Sequence, residues 1–494
     1  MNFYELFAML LYFVLVIGVG VYFFFRGKGE ASEKQYFLGG RNMGGWVAAL
    51  SAGASDMSAW VLMGLPGSIY LYGLGQVWIS VGLLIGTVCA WIFVAPKLRR
   101  YSIVANDSIT IPQFLNNRFL SKNKSLQVIS AIIFAVAYCV YAASSISACG
   151  TLFNTVLGMD PSIAMIIATV VIVLYTFLGG FNAVCWTDFF QGLMMLSALM
   201  IAPIIAVITM SATGYIAPEV VLPPNYYNFL ADGTLSWASW TVIISGLGWG
   251  LGYFGMPHIL VRYISIRSEH EMNKSRIIGC FWIFIILLMA SIVGIVGRQF
   301  LGDTILDNES IVFINMVRMV FPAFIGGIFL SAILAASMST ADSQLLASSS
   351  AFASDIYKSI IRKKASDSEM QWAGRIVVLV IAIIAFLIAN SPECEGIMAL
   401  VSCAWGAFGS AFGPVIILAL YWRRLTYSGA VAGVTVGFLV DAIWYAFLAA
   451  PTGIYEIVPG FICGLVATVI VSLLSKKPSQ EVIDLFEKSR NKIN

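Results

Sequence analysis

The strongest constraint on this chain is the recurrence, from one end to the other, of apolar runs about twenty residues long, the length an α-helix needs to cross a bilayer's hydrocarbon core. Thirteen such runs lie near 3–25, 43–65, 72–95, 126–156, 162–180, 188–213, 235–256, 277–297, 319–350, 376–390, 396–422, 427–450 and 455–475. With 60% hydrophobic and 11% charged residues and a mean hydropathy of +0.89, the chain has more apolar surface than one core in water could bury. A water-soluble globular fold is excluded. The expected architecture is an all-α integral membrane protein, a single transmembrane domain over residues 1–494 in contact with the lipid bilayer. No basic stretch precedes the first run and no small-residue cleavage site follows it, so it reads as a retained span, not a signal peptide.

Lysine and arginine accumulate in cytoplasmic loops close to span ends. With thirteen spans, the connections after spans 1, 3, 7, 9 and 11 and the tail hold 26 of the 28 basic residues, and only Arg298 and Arg318 fall on the other side. One miscounted span would scramble that alternation. The N-terminus is therefore expected outside and the C-terminus in the cytoplasm, in the plasma (inner) membrane. A net charge of +3 gives no reason to expect a nucleic-acid partner. The eight cysteines (Cys89, Cys139, Cys149, Cys185, Cys280, Cys394, Cys403, Cys463) sit mostly singly in apolar runs without CxxC spacing, which speaks against disulfides and zinc.

Two of the runs are poor helices. In span 2 the stretch from Leu50 to Trp60 is small and polar around Asp56, and span 7 holds Gly246, Gly248, Gly250, Gly252 and Gly255 just before Pro257. Each glycine weakens a helix by about 1 kcal/mol relative to alanine. Five spans apart, an odd number, the two cross in opposite directions. That is the pattern of an inverted repeat, about 43–213 against about 235–422, with helices 3–25, 427–450 and 455–475 outside it. Interrupted helices at matching positions of inverted halves mark the central site of a secondary transporter. The rival reading of the glycines is close helix packing, the role expected of Gly429, Gly433 and Gly437 in span 12. Gly250, Gly252 and Gly255 also spell GxGxxG, but that fingerprint needs a strand before it and a helix start after it, and a membrane span offers neither.

A carboxylate at a helix centre costs about 2.5–3.5 kcal/mol, so each acid inside a span needs a partner or a task. Asp56 lies mid-span in the polar stretch and is the first functional candidate. Asp188 starts span 6, where a helix cap and a place on an ion path explain it equally well. Asp342 comes late in span 9, close to the expected cytoplasmic surface, and Asp441, outside both repeats, reads as structural. Span 9 also groups Ser337, Ser339, Thr340 and Ser343. One or two of these hydroxyls can bond back to their own helix, while adjacent hydroxyls together suit a hard cation that takes several oxygens. Free carbonyls from broken span 2 and hydroxyls from span 9 make a site for one sodium ion. Trp60, Tyr141, Trp249 and Tyr253 lie too deep for an interfacial belt and suit the wall of a small pocket.

Four segments together carry a resemblance: Leu50 to Gly67 (LSAGASDMSAWVLMGLPG), Gly248 to Ile259 (GWGLGYFGMPHI), Leu330 to Gln344 (LSAILAASMSTADSQ), and the loop from Ser108 with Thr110, Pro112, Phe114 and Arg118. Through them the chain resembles the sodium/solute symporter family, nearly end to end, and within it the proline carriers. The resemblance implies a LeuT-like fold of two inverted five-helix repeats. It implies sodium held by the carbonyls of Ala54, Met57 and Ala336 and the hydroxyls of Ser339 and Thr340, with Asp56 near both sodium and substrate. By the same likeness L-proline contacts Ser58, Trp60, Gly64, Tyr141, Trp249, Tyr253 and Pro257. Asp188 matches the family acid on the sodium release route, and Ser343 is a further candidate on that ion path. Ala59 stands where glycine is usual in the proline carriers, and Met256 where glutamine is.

The expected function is therefore sodium-coupled symport of a small solute, L-proline first, with sodium as co-substrate, no cofactor and a functional monomer. Another small amino acid or organic solute, or proton coupling through Asp56, is the alternative. An enzyme is disfavoured: the two histidines, His258 and His270, both fall in the expected loop after span 7, and no HExxH or paired-acid signature occurs. A channel would need a pore lined by repeated rings.

Overall fold

In lipid a backbone satisfies its own polar groups by coiling into helices, and the computed structural model follows that rule. It describes residues 2–26, 32–212, 215, 218–394 and 396–491. Among these residues no β-strand forms, only an isolated bridge between Met43 and Ile266. The helices are α1 (Phe3–Arg26), α2 (Glu33–Leu38), α3 (Gly45–Asp56), α4 (Leu65–Tyr72), α5 (Val77–Cys89), α6 (Ala95–Val104), α7 (Ile111–Arg118), α8 (Ser125–Leu157), α9 (Pro161–Ala212) and α10 (Trp237–Gly248). They continue as α11 (Pro257–Ser265), α12 (Glu269–Leu301), α13 (Val312–Val320), α14 (Ala323–Ser350), α15 (Asp367–Ala389), α16 (Ile397–Tyr421), α17 (Tyr427–Ile443), α18 (Ala449–Thr452), α19 (Ile457–Leu474) and α20 (Gln480–Ser489).

Ten helical segments of the described residues are long and apolar enough to span a membrane. The predicted runs that fall short are the second and seventh, both interrupted, and the fifth, whose apolar part is the short Pro161–Leu174. α3 stops at Asp56, Met57 leaves the helical region (φ −86°, ψ 79°), and the chain resumes in a wide turn over Trp60–Gly64 that runs into α4. α10 tightens into a 3-10 stretch, Trp249–Phe254, before Met256 extends (φ −70°, ψ 107°) and α11 starts with Pro257. Proline suits that first position because its missing N–H has no helical partner there anyway. Both interruptions read from the sequence are present.

Two boundaries differ from the sequence reading. The seventh run does not end at 256: α11 carries it to Ser265, so His258 is fully buried in a helix and not in a loop, while His270 sits exposed in the first turn of α12. The fifth and sixth runs are not separated by a loop either. Gly180 takes a conformation that side chains resist (φ 59°, ψ −169°) and bends α9, which is helical again at once. Asp188 therefore lies inside the second half of α9, and the helix-cap reading of it is wrong.

The centre of the molecule is built from small residues. In α3 every residue but Trp46 is buried, and in α14 every residue from Leu330 to Ser350 is buried. Asp342, expected near the surface, is fully enclosed as well. α14 packs against α1, α3, α8 and α9, and α3 against α9, α11 and α12. The glycines of span 7 serve packing as well as the break: a Cβ on Gly82 would stand 2.2 Å from Gly246 O, and one on Gly86 2.2 Å from Gly250 O. On the loop before α10, Ser236 and Ser239 donate to the Asp232 carboxylate and hold its carboxyl well below the usual range, which ties that loop to the start of the broken span. At the other face, α20 returns to lay buried Val482 and Phe486 against α6 and α7.

Candidate functional site

The break after Asp56 frees backbone groups at the centre of the bundle, and side chains from three other helices meet them. Ser339 Oγ, on α14, donates to Ala54 O at 2.9 Å and lies 3.1 Å from Ala336 O, and Thr340 Oγ1 stands 3.5 Å from Ala54 O. Four of the five predicted sodium ligands are thus in mutual contact, and Met57 occupies the non-helical step beside them. These are neutral oxygens of the hard type that an alkali cation takes. Asp56 adds the charge: fully buried, it accepts from Tyr253 OH through Oδ2, while Oδ1 has no hydrogen-bond partner among the described residues. An orphaned buried carboxylate oxygen is costly, and a bound cation would relieve it.

The predicted substrate residues cluster around the same step. Tyr141 OH, from α8, and Trp60 Nε1 both donate to Asp56 O, at 3.2 and 3.1 Å, so the last carbonyl of α3 is held by two aromatic side chains. Ser58 Oγ accepts from Trp60 N at 3.4 Å. The Trp60 and Trp249 rings lie 6.3 Å apart, joining the two broken spans. Gly64 faces α16, where an added Cβ would stand 3.3 Å from Met398 Sδ, and Pro257 is buried at the head of α11. Trp249 also lines a cavity of about 390 Å³ with Ser68, Gln76, Ser245, Met398 and Tyr455. Of the predicted substrate residues, Trp249 is the one that borders this cavity; the others are buried and not part of its lining.

Asp188 and Ser343 are brought together by a residue that the sequence reading places in a loop. Arg262, buried on α11, sets Nη2 3.0 Å from Asp188 Oδ2 and 2.5 Å from Ser343 Oγ, and Nε 3.0 Å from Ser51 Oγ. Ser51 Oγ donates to Asp188 Oδ2 at 2.7 Å, and Ser343 Oγ to Asp342 Oδ1 at 3.2 Å. The guanidinium therefore ties α3, α9, α11 and α14 together one turn from the Ala54–Ser339 contact. Its signal in the sequence is a lone arginine flanked by apolar residues, Val261 and Tyr263. Two more residues went unnoticed. Trp405 Nε1, on α16, donates to Trp249 O at 2.7 Å, and Tyr138 OH accepts from His258 N at 3.1 Å. The glycines of α17 do pack as expected, with Gly429 and Gly433 against Ser472 and Thr468 of α19.

Comparison with known proteins agrees with this architecture. The profile of the family described as "Sodium:solute symporter family" matches residues 36–437. The osmoregulated proline transporter OpuE of Bacillus subtilis (strain 168) is 42% identical over 480 residues, 96% of each chain. The high-affinity proline transporter PutP of the same organism is 43% identical over 467 residues, covering 94% of this chain and 97% of the relative. A sodium/proline symporter of Staphylococcus aureus (strain JH9) is 41% identical over 491 residues, 97% of this chain and 94% of the other. Among solved structures, a Na+-coupled sialic acid symporter in a substrate-bound outward-open state superimposes with a TM-score of 0.76 at 21% identity, over 97% of this chain and 99% of that one. MHP1, a nucleobase-cation-symport-1 family transporter, gives 0.56 at 12% identity over 92% and 98%. These two likenesses concern the fold, which is the LeuT-like one.

Proposed function

The chain belongs to the sodium:solute symporter family, and from that premise we propose that it takes up L-proline with sodium by alternating access, through the site at the two broken spans. The observation that carries this reading is the meeting of Ala54 O, Ala336 O, Ser339 Oγ and Thr340 Oγ1 beside an Asp56 oxygen that lacks a donor among the described residues. The family makes the chain a transporter and not an enzyme, with sodium as co-substrate. The named activities of the Bacillus and Staphylococcus relatives support proline as the solute.

In this reading sodium bridges the end of α3 and α14 and fixes the step at Met57 and Ser58, where Asp56, Trp60 and Tyr141 are already linked. Ser58, Trp60, Gly64, Tyr141, Trp249, Tyr253 and Pro257 then enclose the proline. Ordering by one ligand favours the other, and by linkage the favour is mutual. One sodium crossing 100 mV and a tenfold gradient releases about 3.7 kcal/mol, enough for several-hundredfold accumulation. Asp188 and Ser343, with Arg262, stand on the ion's path to the cytoplasm. The wider reading keeps thirteen spans as two inverted repeats, 43–213 and 235–422, a functional monomer in the plasma membrane, the N-terminus outside and the C-terminus inside. The distribution of basic residues supports that orientation.

The test is uptake of labelled L-proline into proteoliposomes with sodium and proton gradients imposed separately. Accumulation driven by sodium alone is expected. Accumulation driven equally by protons without sodium would transfer the coupling role to a proton on Asp56.

A further inference from the structure

Where α16 ends, α6 begins and α20 returns, a second cavity of about 390 Å³ is lined by Lys97, Tyr421, Trp422, Arg423, Glu487 and Arg490. Three of these side chains are cations and one is an acid. Arg490 Nη1 stands 3.3 Å from Glu487 Oε2, with both side chains largely in the open, whereas Lys97 and Arg423 make no salt bridge among the described residues. Lys97 Nζ lies 3.5 Å from the centre of the Tyr421 ring, and Tyr421 OH donates to Phe93 O at 2.9 Å, which fixes the ring. The lining thus carries an uncompensated double positive charge beside two aromatic residues of the kind that anchor at the headgroup level.

What adjoins the cavity identifies the occupant. In the helix leading into Lys97, Ile85, Ile92 and Phe93 recur at seven and eight residues on one face and are about half exposed (52%, 43% and 52%). A free phosphate could use the cations but not this apolar track; a phospholipid uses both. Basic pockets between the ends of transmembrane helices bind anionic headgroups for this reason. We propose that the cavity holds the phosphate of an anionic phospholipid among Lys97, Arg423 and Arg490, with the acyl chains along Ile85, Ile92 and Phe93. The lipid joins the C-terminal helix α20 to the end of the bundle. The proposal does not depend on which solute the chain carries.

The full-length protein in detergent, titrated with phosphatidylglycerol and followed by native mass spectrometry, tests it, with phosphatidylcholine and inorganic phosphate as the comparison ligands. Tight retention of one phosphatidylglycerol is expected, with phosphatidylcholine much weaker and millimolar phosphate unable to displace it. Lys97→Gln, Arg423→Gln and Arg490→Gln should each weaken retention about fivefold, and the triple variant about a hundredfold. Glu487→Gln removes the one acid of the lining and should strengthen it a few-fold, a gain that misfolding cannot produce. A triple variant that holds phosphatidylglycerol like the parent, a Glu487→Gln that gains nothing, or displacement by inorganic phosphate overturns the lipid assignment.

Discussion

Two buried polar clusters lie one turn apart on the same pair of helices, and their charges are balanced differently. Ser51 and Ser343 belong to one, Ala54 and Ser339 to the other, three residues along α3 and four along α14. In the first cluster Asp188 has a cation of the protein's own, the guanidinium of Arg262, which together with the Ser51 hydroxyl engages its Oδ2, while Oδ1 has no hydrogen-bond partner among the described residues. In the second, Asp56 has no cation beside it among the described residues, only the Tyr253 hydroxyl on Oδ2. A cluster that supplies its own counter-charge is a latch. A cluster that lacks one is where a mobile cation gains most, because a buried carboxylate without a partner is costly.

The sharpest way to break this contrast is Asp56→Ala. Sodium-driven proline uptake should fall by at least a hundredfold in proteoliposomes while the protein still inserts; ordinary kinetics in that variant would remove Asp56 from the site. Next in size is the latch. Arg262→Gln leaves Asp188 buried without its cation, a change that costs about 3–5 kcal/mol and should appear as a large fall in the unfolding temperature in detergent. Adding Asp188→Asn should recover part of that loss; a double variant no better than the single one would mean that the two charges do not act as a pair. Smaller effects are expected at the neutral ligands. Ser339→Ala or Thr340→Ala should raise the sodium concentration for half-maximal uptake about tenfold, the worth of one such contact, with little change in maximal rate. Smallest is Trp249→Ala, for which the proline KM should rise several-fold and sodium dependence hold; an unchanged KM would take Trp249 out of the substrate pocket.

The two clusters also differ in how legible they were in the sequence. Asp56 is legible because it interrupts an apolar run amid small residues, a local pattern. Ser339 and Thr340 are legible because adjacent hydroxyls are too many for one helix to absorb. Arg262 escapes because the seventh run ends at 256, ahead of Pro257, and so leaves the arginine outside, whereas α11 continues the span past it. Its partner Asp188 lies 74 residues away in the chain, and no local pattern announces such a pair. The bend at Gly180 hides the pair further: the stretch between the fifth and sixth runs reads as a connection, whereas α9 is helical again directly after Gly180 and carries Asp188 inside it. Trp405 escaped for another reason. A tryptophan in a span looks the same whether it faces lipid or, as here, donates to the backbone of Trp249.

The central claim is that an alkali ion sits between α3 and α14 and prepares the proline site. Binding of labelled L-proline to the solubilised protein, with sodium exchanged for choline at constant ionic strength, measures this most directly. Affinity should rise at least tenfold with sodium in the parent, and the rise should be lost in Ser339→Ala/Thr340→Ala. Equal affinity in sodium and choline, or an undiminished sodium response in the double variant, would contradict it.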